Sequence, residues 1–242
     1  MNAYPGLLVV FDGIDGAGKT TQALQLTEDL RKVGETVTLS KEPTNGQYGS
    51  KLRASAQNGR LPFEDELELF VADRQEHLRE KIEPALQAGH IVILDRYFYS
   101  TLAYQGARVG TLRDIEARIR KNVIHPDITF WIETPADLAV FRIEKRDGAV
   151  NLFEKVDDLI AIDKLFREIS ASEKNLFAID GSQSIKEVYS DVIDKFVNGP
   201  FKAKKCAKSY GCDDPLYCTP RITNTCDWWR KANALQRHCV TD

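Results

Sequence analysis

The chain has 242 residues, of which 43% are hydrophobic and 29% charged, and a formal net charge of −3. That length suits one α/β domain with an extension and is enough to bury a core, while the composition excludes a disordered or collagen-like chain. The longest apolar runs are about five residues, far short of the roughly 20 needed to span a bilayer, and the N-terminus has no signal-peptide pattern, so a cytoplasmic enzyme with no membrane contact is expected.

In chain order, Leu7–Phe11 is an apolar run that predicts a buried strand, and Thr20–Val33 predicts a helix. Between them Gly13–Thr20 reads GIDGAGKT, the spacing of a phosphate loop: Gly, four residues, then Gly-Lys-Ser/Thr. The small residues leave room for successive backbone N–H groups to converge on one anion, and the helix start adds the positive end of its dipole. Lys19 supplies charge for the outer phosphates, and the Thr20 hydroxyl is a candidate Mg²⁺ ligand. Gly13, Asp15, Gly16, Ala17, Gly18, Lys19, Thr20 and Thr21 are therefore the expected ATP contacts.

Thr36–Leu39 predicts the second strand, which Pro43 stops, and Ser40–Arg53 reads as a loop. Glu42 and Pro43 could wall a pocket that Arg53 faces, or the segment is an ordinary surface loop. Phe63–Ala88 predicts a long helical stretch that Pro84 should end or kink near Glu83. Within it Phe70 and Arg74 are four apart and share a face. A ring beside a guanidinium is a platform for a base and its phosphate; taken alone, the two read first as a core ring and an ion-paired arginine.

Ile91–Leu94 predicts the third strand, ending at Asp95, the usual position of a Mg²⁺-shell carboxylate in a chain with a phosphate loop. Arg96 beside it requires an anion. Ser100 and Tyr104 face the same way on a short helix, and Gln105 carries both a donor and an acceptor, which suits a pyrimidine edge. Ile128–Ile132 predicts the fourth strand, leading to Glu133 and a helix opened by Pro135. That helix ends in RIEKRDG, Arg142–Gly148, which is either a solvated basic helix end or a flap whose arginines reach a transferring phosphate. Asn151–Ser172 is amphipathic. Leu176–Ile179 predicts the fifth strand, and Ser184 with Glu187 forms a capping-box pattern at the closing helix.

Short strands apolar on both faces, separated by helices, indicate an α/β fold with a five-stranded parallel sheet and helices on both faces. Ligands in such sheets bind beyond the carboxyl ends of the strands, which puts Asp12, Glu42, Asp95 and Glu133 on the functional rim.

Composition shifts at Asn198-Gly199-Pro200. Residues 198–242 hold eight Lys/Arg against four Asp/Glu and all five cysteines, Cys206, Cys212, Cys218, Cys226 and Cys239. The domains are read as 1–197, a catalytic core, and 198–242, a basic, Cys-rich C-terminal extension. The cysteine spacings lack the close pairs of zinc sites, and disulfides are disfavoured in a reducing cytosol. A reduced, unstructured or loosely docked tail is the leading reading, with zinc or a small interaction module as alternatives. Trp228-Trp229-Arg230-Lys231 mixes aromatics with charge as nucleic-acid binders do, but the tail's charge is too small to carry that reading.

Over residues 7 to about 197 the chain resembles the thymidylate kinase family, dTMP kinases of the P-loop NTPase fold. The resemblance rests on FDGIDGAGKTTQ, KEPT, FVADR, DRYFYSTLAYQG, RIEKRDG and IDGSQSIKEV, in that order. It implies ATP + dTMP ⇌ ADP + dTDP, a step toward dTTP, with Mg²⁺ held by Thr20 and Asp95. It implies that Asp12 lies near the sugar and acceptor phosphate, that Arg74 and Arg96 bind the dTMP phosphate, and that Phe70 stacks on thymine. Gln105, with Tyr97, Ser100 and Tyr104 near it, reads the base and sugar. Glu42, Pro43 and Arg53 shape the pocket, the bond before Pro43 often being cis. Arg142 and Arg146 come from the flap, and the Gly181–Gln183 loop lies against adenine. Asp12, Lys19, Arg96, Arg142 and Arg146 form the implied catalytic set, and a homodimer through helices that include Phe63–Ala88 is expected. Three places depart from the pattern, one of them Asn151, where relatives often have a second flap arginine, so the cation that caps the transferring group is either Arg142 or Arg146. One branch of the family has a basic residue where Gly16 stands here, which shifts charge compensation to the flap. The family's Arg-Glu-Pro-Gly is Lys41-Glu42-Pro43-Thr44. The alternatives are a kinase for dUMP or dCMP, and a non-catalytic P-loop module whose tail binds metal or nucleic acid.

Overall fold

The computed structural model describes residues 3–109, 112–121, 123–147, 152–203 and 227–238. Five strands form one sheet: β1 (Leu7–Asp12), β2 (Val37–Lys41), β3 (Ile91–Asp95), β4 (Ile128–Glu133) and β5 (Leu176–Asp180), in the order β2-β3-β1-β4-β5, all pairs parallel. Every residue of β1 is buried, as a central strand between two helix layers requires. The register fixes the site. Phe11 pairs with Asp95, Asp12 with Trp131 and Lys41 with Asp95, so β1, β2 and β3 end together at one rim.

Helix α1 (Lys19–Lys32) follows the phosphate loop. α2 (Gln47–Asn58) and α3 (Phe63–His77) pack together between β2 and β3. The sequence reading has a loop over Ser40–Arg53, but α2 begins at Gln47. Its composition is mostly polar, with Leu52 as its buried apolar anchor, and the Thr-Asn-Gly turn before it and Gly49 in its first turn read as loop. The helical stretch over Phe63–Ala88 changes type near Glu83, where Pro84 is expected to end or kink it. A π-helical segment, Leu78–Ile82, precedes α4 (Glu83–Gln87), with Pro84 in the first turn of α4, where its missing N–H costs nothing.

α5 (Phe98–Val109) and α6 (Arg113–Arg120) follow β3; α7 (Ala136–Asp147) and α8 (Leu152–Ser172) follow β4. α9 (Ile185–Phe196) opens on the Ser184–Glu187 capping box with both bonds formed. At the expected boundary the backbone kinks at Gly199 (φ −102°, ψ −116°), and Phe201 just beyond it is buried with its ring 5.1 Å from that of Phe196. A last helix, α10 (Asp227–His238), rests on α1 and α9. Its Leu235 and Ala232 are buried, and Lys231 Nζ is 2.8 Å from Glu35 Oε1. The five cysteines lie outside the described residues, as does Asn151. No described helix is long and apolar enough to cross a membrane.

Candidate functional site

The β1–α1 turn builds the first half of the site. Gly16 has φ 80°, and a Cβ there would lie 2.3 Å from the Ala139 carbonyl oxygen of α7. A side chain here would require the α7 backbone to move. Lys19 is buried, with Nζ donating to the Ile14 carbonyl at 2.7 Å. Burial, followed by the charge of Arg96, brings its pKa down to about 8. The Thr20 hydroxyl donates to the Asp95 carboxylate at the end of β3.

These residues line a cleft of about 630 Å³ that runs from the loop across Thr21 to Gln183 and Ser184 at the start of α9. Asp15 through Thr21 all line it; Gly13 instead turns its carbonyl to Arg96. Arg142 and Arg146 enter it from α7. Arg142 Nη1 donates to the Gly181 carbonyl at 3.0 Å. Arg146 is exposed and paired with Asp147 at 2.7 Å; hydrogen bonding to Asp147 leads the causes that raise its pKa, with the charge of Asp15 contributing. Glu133, expected on the rim, is taken by Arg167 at 2.5 Å and lines neither cleft.

Arg96 is the hub. It is a non-glycine residue at φ 71°, a conformation that costs energy and persists where its surroundings over-determine it. Here its N–H donates to the Phe11 carbonyl at 2.9 Å. Nη1 donates to Gly13 O at 3.2 Å and Ser100 Oγ at 3.1 Å, and Nη2 to Tyr104 Oη at 3.1 Å and Asp15 Oδ1 at 2.6 Å. The guanidinium also lies over the Tyr104 ring. Its charge is the main reason the Asp15 pKa falls to about 2. Behind it, Asp12 is fully buried and accepts from the Ser100 hydroxyl and, at 3.4 Å, the Tyr97 N–H. Its Oδ2 has no partner. Burial raises its pKa to about 7.

A second cleft of about 490 Å³ opens on the other side of Arg96. Phe70, Tyr97, Ser100, Tyr104 and Gln105 line it, and Asp15, Glu42, Pro43, Arg53 and Arg96 line both clefts. The wall between β2 and α2 is pinned by one face of α3. The Glu42–Pro43 peptide is cis. Asp73 accepts from the Thr44 N–H at 2.8 Å and its hydroxyl at 2.5 Å, Arg74 donates twice to Glu42 Oε2, and His77 Nδ1 meets Glu42 Oε1 at 3.1 Å. The pinned loop offers its Pro43 and Thr44 carbonyls to Arg53 at 3.1 and 2.5 Å.

Phe70 and Arg74 do not both face the cleft. Arg74 is absent from its lining; it sits behind the wall on Glu42 and Thr101, with Nη1 buried and unpartnered. The sequence reading also omits Arg60, Glu66 and Thr101, which line the second cleft, and Asp73 and His77, which hold its wall. Helical spacing contains a signal for two of them: Glu66 is four residues before Phe70, and His77 is three after Arg74. Among the described residues no group of three or more His, Cys, Asp or Glu is arranged to hold a metal ion; what converges at the loop mouth is one hydroxyl and one carboxylate.

A family model described as Thymidylate kinase matches residues 11–192. The chain is 41% identical over 190 residues to "Thymidylate kinase" of Xanthomonas oryzae pv. oryzae (strain PXO99A), covering 78% of this chain and 83% of that one. It is 40% identical to the protein so named from Xanthomonas campestris pv. campestris (strain B100), with the same coverage. It is 37% identical to that of Brachyspira hyodysenteriae (strain ATCC 49526 / WA1), covering 92% of the latter.

Proposed function

The chain belongs to the thymidylate kinase family, and from that membership and the paired clefts we infer that it transfers the γ-phosphoryl group of ATP to dTMP, giving ADP and dTDP. The observation that carries this reading is the shared wall. Asp15, Glu42, Pro43, Arg53 and Arg96 line both clefts, so two phosphate-bearing ligands meet at Arg96 and Arg53. A switch or binding module has no use for the second cleft.

ATP lies over the phosphate loop, with its base toward Gly181–Gln183. The loop N–H groups and Lys19 hold the β- and γ-phosphates, while Thr21 and Ala17 shape the floor. The oxygen donors of Thr20 and Asp95, already in contact, fit Mg²⁺, which commonly takes one or two protein oxygens and fills its remaining positions with phosphate and water. Held there, Mg²⁺ would supply charge neutralisation for the transferring phosphate.

dTMP enters the second cleft with its base between Phe70 and Gln105 and its phosphate at Arg96. Its attacking oxygen is already anionic, so no strong base is needed and catalysis is positioning with charge compensation. Arg53 fits the second place at the acceptor phosphate better than Arg74, because its guanidinium lies on the shared wall. Arg74 holds Glu42 and keeps one free donor behind the base. Asp12 fixes Ser100, and through it Arg96, on the sugar side. Arg142 is held at the Gly181 carbonyl on the adenine side, whereas Arg146 pairs only with its exposed neighbour Asp147, a solvent-screened contact it can exchange for the transferring group. Closure of α7 over the clefts excludes water, the competing acceptor.

The reading extends to a cytoplasmic homodimer. The outer face of α3, with Val71 and Ala72 beside Arg118 of α6 and Lys121 just after it, is the surface such a contact would use, and sedimentation measures it. The central test is ADP release with Mg-ATP against a panel of nucleoside monophosphates. Turnover with dTMP well above background ATPase is expected, and its absence removes the reading.

A further inference from the structure

Glu66 is a buried carboxylate with no role in the account above. It lies in the first turns of α3, is 3% exposed, and forms part of the second cleft's wall beside Gln105. It accepts from Arg60 Nη2 at 3.0 Å and Nε at 3.3 Å, from Arg108 Nη1, and from Gln105 Nε2 at 3.3 Å. Arg108 is itself fixed: Nη2 donates to the Leu61 carbonyl at 3.2 Å, and its guanidinium lies over the Phe63 ring. Its Nη1 also approaches Gln105 Oε1 at 3.4 Å.

Two groups of opposite polarity therefore grip the two ends of one amide. A carboxylate only accepts, so it faces the NH₂ end; a guanidinium only donates, so it faces the oxygen. A lone amide has no intrinsic preference between its two orientations. Turning this one over would bring oxygen against carboxylate and NH₂ against guanidinium on the cleft wall, replacing two hydrogen bonds by two repulsive contacts.

We propose that Glu66, with Arg108, is a positioning pair that locks the Gln105 amide in one direction and so makes the acceptor site selective for a 4-oxo pyrimidine over a 4-amino one. The proposal rests on the reading that dTMP occupies this cleft with its base at Gln105. Thymine and uracil present an N3–H donor beside the O4 acceptor. Cytosine presents the reverse, an N3 acceptor beside an N4 amino donor. An amide free to turn satisfies either edge. The locked amide keeps a lone pair on Oε1 for N3–H and a hydrogen on Nε2 for O4, and both contacts oppose cytosine. A site built to hydrogen-bond one edge rejects a mismatched edge strongly, whereas one methyl changes affinity little. The pair therefore separates dTMP and dUMP from dCMP without reading the methyl.

The test is kcat/KM for dTMP, dUMP and dCMP with the full-length protein, Glu66→Gln and Arg108→Met. The wild type should favour dTMP over dCMP by about 10³ or more. In Glu66→Gln the new amide can present either polarity, and that ratio should shrink about tenfold or more, while the dTMP to dUMP ratio stays constant. A variant that loses activity equally toward dTMP and dCMP shows a merely structural role and overturns the proposal. If melting shows Glu66→Gln unfolded, Arg108→Met should shrink the ratio in the same direction. A wild type that uses dCMP and dTMP equally overturns the proposal while leaving the kinase reading in place. A wild type that phosphorylates no monophosphate removes the kinase reading and this inference with it.

Discussion

The Arg96 guanidinium closes on the Asp15 carboxylate at 2.6 Å, on the wall shared by the two clefts. An acceptor phosphate reaching Arg96 must compete with, or share, the nitrogen that Asp15 holds. Replacing Asp15 by Asn should therefore lower KM for dTMP a few-fold with little change in kcat. A rise in KM would mean that Asp15 orients Arg96 rather than competes for it. Arg96→Ala removes charge-assisted bonds worth about 1.5–3 kcal/mol each, so kcat/KM for dTMP should fall by about 10² or more, in both KM and kcat.

The two flap arginines should separate kinetically. Arg142 is tied to the Gly181 carbonyl on the adenine side, whereas Arg146 lies at the exposed end of α7. Because Gly16 supplies no cation from the phosphate loop, Arg146→Ala should cost most in kcat. An arginine acting on the transferring group contributes about 10³–10⁵. Arg142→Ala should chiefly raise KM for ATP. Steady-state kinetics with each substrate varied in turn tells them apart, and equal effects from both would undo the assignment.

Lys19 makes ATP binding proton-linked. Its pKa in the free protein is lowered to about 8, chiefly by burial, and a triphosphate beside it favours the charged form. Binding above pH 8 should therefore take up a proton, and affinity should fall as pH rises past 8. Titration calorimetry at pH 8.5 in two buffers of different ionisation enthalpy should give different apparent heats for the wild type and the same heat for Lys19→Met.

The five strands are legible because parallel strands are apolar on both faces, and the phosphate loop because its spacing encodes backbone geometry. What is not legible depends on partners distant in sequence. The constraint on Gly16 is a carbonyl of Ala139 in α7. Arg74 shares a helical face with Phe70, yet Glu42, from the β2 end, draws it behind the wall. Glu66 meets Arg60, Gln105 and Arg108 only after α3 and α5 pack. Helix α2 is hidden because the Thr-Asn-Gly turn and Gly49 read as loop, and Pro84 signals a disturbance near Glu83 without signalling that it takes the form of a π-helical segment.

Asp12 should make stability depend on pH. Its pKa is raised from 3.8 to about 7, burial being the largest cause, so the folded protein keeps a proton there that the unfolded chain releases above about 4. Between pH 4 and 7 the native state binds more protons, and this group's contribution to stability falls as pH rises, by at most about 1.4 kcal/mol per unit. Above 7 it is level. Asp12→Asn, isosteric with the protonated acid, should flatten that slope in urea denaturation, and an unchanged slope would show that Asp12 is ionised throughout.

The last helix should contribute to the stability of the whole fold. α10 packs on α1 and α9, whose N-terminal ends adjoin the phosphate loop and the Gly181–Ser184 turn. Leu235 is fully buried in that contact, and Lys231 reaches Glu35 just beyond the end of α1. If docking is part of one cooperative unit, Leu235→Ala should cost about 2–4 kcal/mol and lower Tm by roughly 5–15 °C. If α10 opens independently, the loss of Tm is capped at the free energy of docking, and protease cuts the variant near α10 while the core stays folded. Tm and limited proteolysis, measured together, choose between these. A variant with unchanged Tm and an uncut tail would show that burial of Leu235 stabilises nothing.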